Sequence, residues 1–211
     1  GGFTEKNKID ELAKGLKNFP DVAILSDEVY DRLIFDKKEI PTLLNYPDLY
    51  DRLIVLNGWS KTYAMTGWRL GWGVWPKKLV EHVFKFCVNS HSCVNTPAQY
   101  GAIAALEGSE SHLIEMMKEF DSRRKLIFDG IKSLKGLDCS LPGGSFFIFP
   151  NVKKTGMTGE EFTEKCLKEA GVAVIPGTAF GKFANYNVRM NFATSRENIS
   201  KALKKIDKIL K

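Results

Sequence analysis

Residues 57–72 read NGWSKTYAMTGWRLGW, and this stretch decides how the fold is interpreted. The apolar run Leu53–Leu56 comes directly before it and predicts a buried strand. Lys61 follows the end of that strand, and Arg69 lies eight residues further on among glycines. Glycines keep the backbone beside Arg69 free of side chains, which favours close approach of a ligand. The stretch therefore combines a strand end with one lysine and one arginine.

The chain around this stretch has the order of elements that is typical of an α/β protein. Thr4–Lys17 predicts a helix, because its apolar residues recur at helical spacing. Val22–Leu25 predicts a buried parallel strand, and Leu70–Val74 predicts a third strand. Helix, strand, loop and strand in this order indicate an α/β layer, which binds ligands at the carboxyl ends of its strands.

The 57–72 stretch resembles the cofactor-lysine motif of the fold-type I, class I/II aminotransferases of the aspartate/aromatic type, close to S-K-x-x-x-x-x-G-x-R-x-G. The resemblance implies the cofactor pyridoxal 5'-phosphate and transfer of an amino group between an amino acid and a 2-oxo acid. It implies that Lys61 forms a Schiff base with the cofactor aldehyde and shuttles a proton during catalysis. It also implies that Arg69 binds the cofactor phosphate, while Ser60 contacts the phosphate or shapes the turn.

Asp27 and Tyr30 match a second family motif, D-x-x-Y, directly after the first predicted strand. In this family the aspartate lies against the pyridine nitrogen and keeps it protonated, which makes the ring a stronger electron sink. The tyrosine hydroxyl bonds the phenolic oxygen of the cofactor. The alternative makes Asp27 a helix cap and Tyr30 a core aromatic. The position of the pair before Ser60 and Lys61 favours the cofactor role.

Arg189, within NVRMNFA at residues 187–193, matches the arginine that binds the substrate α-carboxylate in this family. A rigid guanidinium fork can hold a carboxylate through two parallel hydrogen bonds. The alternative is a surface arginine at a strand edge. Two more stretches look familial: residues 143–150 resemble a small-domain strand that leads towards the substrate, and residues 174–181 resemble the loop at its entrance.

One position departs from the family pattern. Many relatives have a serine three residues before the lysine, where its hydroxyl contacts the phosphate, but this chain has Gly58. We expect the backbone amide of Gly58 to donate instead, and the phosphate to be anchored more weakly.

The second half of the chain changes in pattern. His112–Leu134 predicts one long helix, and the expected domain boundary lies near its start, giving domains at residues 1–111 and 112–211. Short strands and two capping boxes follow, Thr158 with Glu161 and Thr194 with Glu197. The fold class expected is α/β: a partial large domain, namely a three-layer αβα sheet that lacks its first strands, followed by a small α+β domain.

Composition excludes several other classes. The chain has 211 residues and a net charge of +6, but its basic residues are dispersed, and the densest group, residues 201–211, lies on an amphipathic helix. We therefore expect no nucleic-acid partner. No apolar run reaches the ~20 residues that span a bilayer, and no signal peptide is seen, so we expect a cytoplasmic protein with no membrane partner. The histidines and the four cysteines show no metal-ligand spacing.

By the resemblance, full relatives are about twice as long as this chain. The N-terminal half that is expected to be absent supplies a ring that stacks on the cofactor, part of the phosphate site and a tyrosine for the partner subunit. We therefore expect a homodimer for the whole enzyme. The 211-residue chain alone is expected to be inactive and to hold the cofactor weakly or not at all.

Two alternatives stay open at this point. A fold-type I lyase or synthase shares the same lysine and arginine motif, and so does an aminotransferase-like effector domain of a transcription regulator. The substrate is not determined, although residues 89–100 contain no arginine, which disfavours a clamp for a second carboxylate.

Overall fold

The computed structural model describes residues 1–36 and 41–211. They form two compact units, one of residues Thr4–Ile114 and one of residues Glu115–Lys211 together with Gly1–Phe3. The domains predicted from the sequence of this chain, residues 1–111 and 112–211, stay a prediction.

The first unit contains a three-stranded sheet. Its strands are β1 (Ile24–Asp27), β2 (Leu53–Gly58) and β3 (Gly71–Val74), in the spatial order β1-β2-β3. β1 runs parallel to β2, and β3 runs antiparallel to β2 with Gly58 opposite Gly71. The carboxyl ends of β1 and β2 and the beginning of β3 therefore lie at one edge of the sheet.

The first strand lies two residues later than predicted. Val22 belongs to a turn, in which its amide donates to the carbonyl of Phe19 over 3.2 Å, and pairing with β2 begins only at Ile24. The predicted strand bounds, Val22–Leu25, are therefore wrong at both ends, and the strand continues through Asp27. This shift places Asp27 within the strand, at its carboxyl end.

Helix α1 (Lys6–Leu16) covers one face of this sheet. Ala13 of α1 is buried in one cluster with Ile24, Leu53 and Val55, and Ile9 and Leu16 pack against it. Burial of apolar side chains on both elements stabilises the layer. Helix over strand confirms the partial αβ architecture expected from the sequence.

Three more helices follow in this unit: α2 (Trp59–Thr62), α3 (Val80–His91) and α4 (Thr96–Glu107). The sequence also predicts helices at residues 78–86 and 97–106, and α3 and α4 confirm them. Both helices expose large apolar side chains, among them Phe84, Phe86 and Tyr100, each about 70% exposed.

The long helix α5 (Ser111–Ser133) leads into the second unit. Its other elements are β4 (Phe147–Ile148), α6 (Gly159–Lys165), β5 (Ile175–Pro176), β6 (Val188–Asn191) and α7 (Arg196–Ile209). The three strands form an antiparallel sheet in the order β4-β6-β5. The predicted small α+β domain is thus present, with β6 as its central strand.

One of the two predicted capping boxes is confirmed. The Thr158 hydroxyl accepts from the Glu161 amide over 3.2 Å, and the Glu161 carboxylate accepts from the Thr158 amide over 2.7 Å. The bonds that the Thr158 amide and hydroxyl donate to the Glu161 carboxylate lower the pKa of Glu161. The box predicted at Thr194 is wrong, because Ser195 is the N-cap of α7 and its hydroxyl accepts from the amide of Asn198.

Arg124 on α5 is a buried charge that the helical pattern did not reveal. Its side chain is almost fully buried, and its guanidinium pairs with Asp121 at 2.6 Å and donates to the carbonyl of Pro142 over 2.9 Å. A buried charge needs such partners, since removal of one leaves the other uncompensated. These bonds link α5 to the segment that precedes β4.

A second ionic contact, exposed to solvent, joins α5 to α7. Glu119 accepts from Arg123, one turn further along α5, over 2.8 Å, and it also pairs with Arg196 at the beginning of α7. Hydrogen bonds from Arg196 and then from Arg123 lower the pKa of Glu119 to about 2. The carboxylate therefore stays charged across the ordinary pH range.

We expect Glu119→Gln to lower the urea midpoint of unfolding at pH 7. A depressed folded-state pKa contributes stability that is fully present above the ordinary value of 4.5 and is lost as the pH falls towards about 2. The midpoints of the variant and the parent should therefore converge between these pH values. Glu197→Gln is the control, because Glu197 pairs with Lys201 within α7 alone and joins no two helices. An equal effect at pH 7 and at pH 3 would contradict this account.

No helix among residues 1–36 and 41–211 is long and apolar enough to cross a membrane. The same residues contain no cluster of histidine, cysteine and carboxylate side chains that could hold a metal ion.

Candidate active site

The edge at the carboxyl ends of β1 and β2 carries the predicted site residues of the first unit. The amide of Glu28, directly after β1, donates to the carbonyl of Leu56 over 2.8 Å, which extends the parallel pairing. The chain then turns at Tyr30, while β2 leads directly into α2 with Ser60 and Lys61. The Lys61 amine lies 6.0 Å from the centre of the Tyr30 ring. The structure therefore brings together two residues that are 31 positions apart in the sequence.

Asp31 holds the turn that carries Lys61. Its carboxylate accepts from the side-chain amide of Asn57 over 2.9 Å and from the hydroxyl of Thr62 over 3.4 Å. Asn57 lies in β2 and Thr62 ends α2, so one carboxylate ties both sides of Lys61 to the segment after β1. The sequence interpretation missed this residue, although an acid directly after Tyr30 was a signal that could have pointed to it.

Asp27 is the last residue of β1, and its carboxylate is exposed. It accepts a hydrogen bond from the amide of Val29 over 3.2 Å, and a turn rather than a helix follows at residues 29–32. The interpretation of Asp27 as a helix cap is therefore wrong. A carboxylate at this edge is free to meet a ligand from the solvent side.

Arg69 lies two residues before β3, close in sequence to the pairing of Gly71 with Gly58. Its backbone is left-handed, with φ at 55°, which is uncommon outside glycine. The guanidinium is exposed and donates to the carbonyl of Thr66 over 2.9 Å. That bond uses part of the donor fork of an exposed side chain.

Beside Arg69 is an open cleft of about 890 Å³. Its walls come from the loop at residues 64–71 and from the end of α3 and the beginning of α4, including His91, Cys93 and Asn95. The cleft is lined by Arg69 but not by Lys61, Tyr30 or Asp27. The strand edge, rather than this cleft, is the centre of the candidate site, because it collects the nucleophilic and acidic groups.

Position 58 requires a glycine, because the backbone of Leu70 and Gly71 approaches it closely. A Cβ atom at this position would lie 2.8 Å from the carbonyl oxygen of Leu70 and 3.1 Å from the Cα of Gly71. The Gly58 amide donates to the side-chain oxygen of Asn57 over 2.6 Å. The amide therefore has a partner within the chain, and its expected contact with a phosphate stays a prediction.

Gly58→Ser is expected to destabilise the full-length protein and to leave cofactor affinity unimproved. The new Cβ must displace the β3 backbone, and overpacking of this kind costs roughly 1–3 kcal/mol. Urea unfolding and cofactor titration measure the two effects. Gly67→Ser is the matched control for the unfolding measurement, because a Cβ at Gly67 meets nothing within 4 Å. Tighter cofactor binding by Gly58→Ser at unchanged stability would overturn this expectation.

Arg189 lies in the second unit, in the middle strand β6, where it is opposite Ile175 of β5. It is half-buried, and its guanidinium carbon lies 4.4 Å from the ring centres of both Phe147 and Phe180. The interpretation of Arg189 as a surface arginine at a strand edge is therefore wrong. Within residues 1–36 and 41–211, no carboxylate forms an ion pair with it. Its donor edge remains available to an acidic ligand.

The geometry can be compared with known proteins. The family model for aminotransferase class I and II matches residues 1–206. The chain belongs to this family. Its members depend on pyridoxal 5'-phosphate, the cofactor that the sequence motif had implied.

Several aminotransferases are similar over the whole chain. Aspartate aminotransferase of Pyrococcus abyssi is 39% identical across all of this chain and 54% of that protein. Aromatic-amino-acid aminotransferase 2 of Thermococcus litoralis is 38% identical, with the same shares covered. The solved aromatic aminotransferase of Pyrococcus horikoshii has a TM-score of 0.94 and 38% identity, over 99% of this chain and 56% of that one. The chain thus spans about half the length of these relatives and contains a partial aminotransferase fold.

Proposed function

We propose that the whole protein is a pyridoxal-phosphate-dependent aminotransferase that moves an amino group between an amino acid and a 2-oxo acid. The observation that carries the proposal is the Lys61 amine beside the Tyr30 ring, at the carboxyl ends of β1 and β2. Ligands of α/β sheets bind at such strand ends. Membership of the aminotransferase family supports the same conclusion.

The side chains at this edge fit the functional groups of the cofactor one by one. Lys61 offers an amine for the aldehyde, and Asp27 offers an exposed carboxylate for the pyridine nitrogen. Tyr30 offers a hydroxyl for the phenolic oxygen, and Arg69 offers an exposed guanidinium for the phosphate. Ser60, adjacent to Lys61 in α2, contributes a hydroxyl near the same position. The donor set therefore fits pyridoxal 5'-phosphate in its chemistry.

The residues of this chain then divide the work. The bound cofactor supplies an electron sink for the substrate α-carbon. Lys61 in its neutral form takes the proton from that α-carbon, which is general base catalysis by a group that is already in place. Asp27 holds a proton on the pyridine nitrogen by its negative charge, and Tyr30 bonds the phenolic oxygen. Arg69 grips the phosphate and fixes the position of the ring.

Arg189 is proposed to bind the α-carboxylate of the substrate. Its fork matches a carboxylate through two parallel hydrogen bonds, and a strand position fixes the fork better than a loop would.

We further propose a homodimer that works in the cytoplasm, in amino-acid metabolism. The resemblance to the family suggests the dimer, and the exposed aromatic side chains of α3 and α4 support a surface that another chain covers. All four cysteines are free, as is usual in a reducing compartment.

The experiment is a half-reaction assay on the full-length protein. Loaded with cofactor, it should convert to its aminated form when an amino acid is added, and return when a 2-oxo acid is added. Donors include aspartate and aromatic amino acids, the substrates in the names of the relatives. Conversion of either donor to its 2-oxo acid supports the proposal. Release of ammonia or of a cleaved side chain instead would identify a lyase and reject it.

A further inference from the structure

The guanidinium of Arg189 lies close to two aromatic rings. Phe147 and Phe180 approach it from separate elements, and both ring centres are 4.4 Å from its central carbon. A distance of this size is well inside the ~6 Å range of cation–π attraction, and arginine stacks on such rings through its planar face. The two rings therefore leave less room for a ligand to approach the face of the guanidinium.

Phe147 is held by the sheet. It lies in β4 and pairs with Asn191 of β6, so that Arg189 is its diagonal neighbour two residues along the central strand. Side chains in this relation point to the same face and reach each other when they are long or aromatic. Phe147 also contacts the ring of Phe146, with centres 4.7 Å apart.

Phe180 is held by a loop that tolerates little change. The loop begins at Gly177, where a Cβ atom would lie 2.2 Å from the carbonyl oxygen of Ala184. The hydroxyl of Thr178 donates to Glu160 over 2.8 Å, which ties the loop to α6. The Phe180 ring packs edge-on against Phe149, with centres 6.1 Å apart. The Phe180 side chain is half exposed, but the contacts of its loop and of the Phe149 ring limit where it can lie.

We propose that Phe147 and Phe180 are positioning residues, which keep the Arg189 guanidinium edge-on for the substrate α-carboxylate. The inference rests on the proposed role of Arg189 and adds how its guanidinium is oriented for the carboxylate. With two rings lying close to the guanidinium, its N–H groups are left open to approach in its own plane, which is the approach that a two-point carboxylate contact needs. Stacking also restricts rotation of the arginine side chain, so that less freedom is lost when the carboxylate binds.

The test uses the full-length enzyme loaded with cofactor. Phe180→Leu keeps an apolar side chain of similar bulk but removes the ring face, and Phe180→Tyr keeps the ring. We expect Phe180→Leu to raise KM for the amino donor by roughly 2- to 30-fold, the range of cation–π contributions, with a smaller change in kcat. Phe180→Tyr should restore KM to near the parent value. Phe147→Leu should act in the same direction as Phe180→Leu.

A matched control exists in the same loop. Phe183 is 94% exposed, and its ring lies against Lys182 rather than Arg189. Phe183→Leu should leave KM unchanged. A second readout is independent of turnover: the dissociation constant of a non-reacting carboxylic acid, 3-phenylpropionate, should rise in Phe180→Leu by the same factor as KM, while cofactor absorbance stays constant.

Combining Phe180→Leu with a substitution of Arg189 distinguishes positioning of the guanidinium from simple packing of the loop. In an Arg189→Lys background the fork is gone, so Phe180→Leu should cause little further loss. An undiminished effect in that background, or a Phe180→Leu enzyme within twofold of the parent, overturns the inference even if Arg189→Ala raises KM. An Arg189→Ala enzyme with unchanged KM overturns the carboxylate role itself, and the positioning inference falls with it.

Discussion

Replacing Lys61 by alanine in the full-length protein is expected to lower kcat/KM for transamination by at least about 10³-fold. General acid–base catalysis by one positioned group is worth roughly 10²–10⁴-fold, and this lysine is also the proposed attachment point of the cofactor. The side chain is half-buried in the short helix α2, whose backbone is held by Asp31 through Asn57 and Thr62. Removing the amine should therefore leave the fold intact.

The control for Lys61→Ala is Lys78→Ala, an exposed lysine of the same unit that lies away from the strand edge. It should keep the parent activity. Far-ultraviolet circular dichroism and urea unfolding should show no difference among the three proteins. A Lys61→Ala enzyme that retains a tenth of the parent activity would show that another group performs the proton transfer.

Arg189→Ala is expected to raise KM for the amino acid and the 2-oxo acid strongly, with cofactor absorbance near normal. Each hydrogen bond between charged groups is worth about 1.5–3 kcal/mol, or roughly 10- to 150-fold in affinity, and the fork can make two. The effect should fall mainly on KM, because the contact exists both before and during the reaction. Arg189 lies in β6 of the second unit, whereas the proposed cofactor contacts come from the first.

Two variants sharpen this measurement. Arg189→Lys keeps the positive charge but loses the planar fork, and it should recover only part of the lost affinity. Arg196→Ala removes an arginine of the same unit that pairs with Glu119, and it should leave KM unchanged. Parent-like kinetics of Arg189→Ala with any productive donor would contradict the assignment.

Local patterns predicted the elements of this chain well where a helix or strand follows from its own residues. α5 and the capping box at Thr158 are examples, since spacing and caps are read within a few positions. Boundaries that depend on a partner strand were less predictable. β1 begins at Ile24 because β2 pairs with it there, and no local signal separates Ile24 from Val22.

The site residues show the same difference between features with a local sequence signal and features that arise only from tertiary contacts. Lys61 lies near Tyr30 because both residues follow strands whose ends meet at one edge, and their roles at the cofactor stay a prediction. The stacking of Phe147 and Phe180 on Arg189 was not predictable, since three separate segments must fold before the rings meet. The requirement for glycine at position 58 was not predictable for the same reason. The carbonyl of Leu70, which is distant in the sequence, leaves no room for a side chain there.

The most direct test of the central claim is reduction of the cofactor-loaded full-length protein with borohydride, followed by proteolysis and mass mapping. Reduction makes the bond between the cofactor and its lysine permanent, so the modified peptide identifies the residue. We predict a single modified site at Lys61, and its loss in a Lys61→Ala variant treated in the same way. A stable modification at any other lysine, with Lys61 recovered unmodified, would contradict the account.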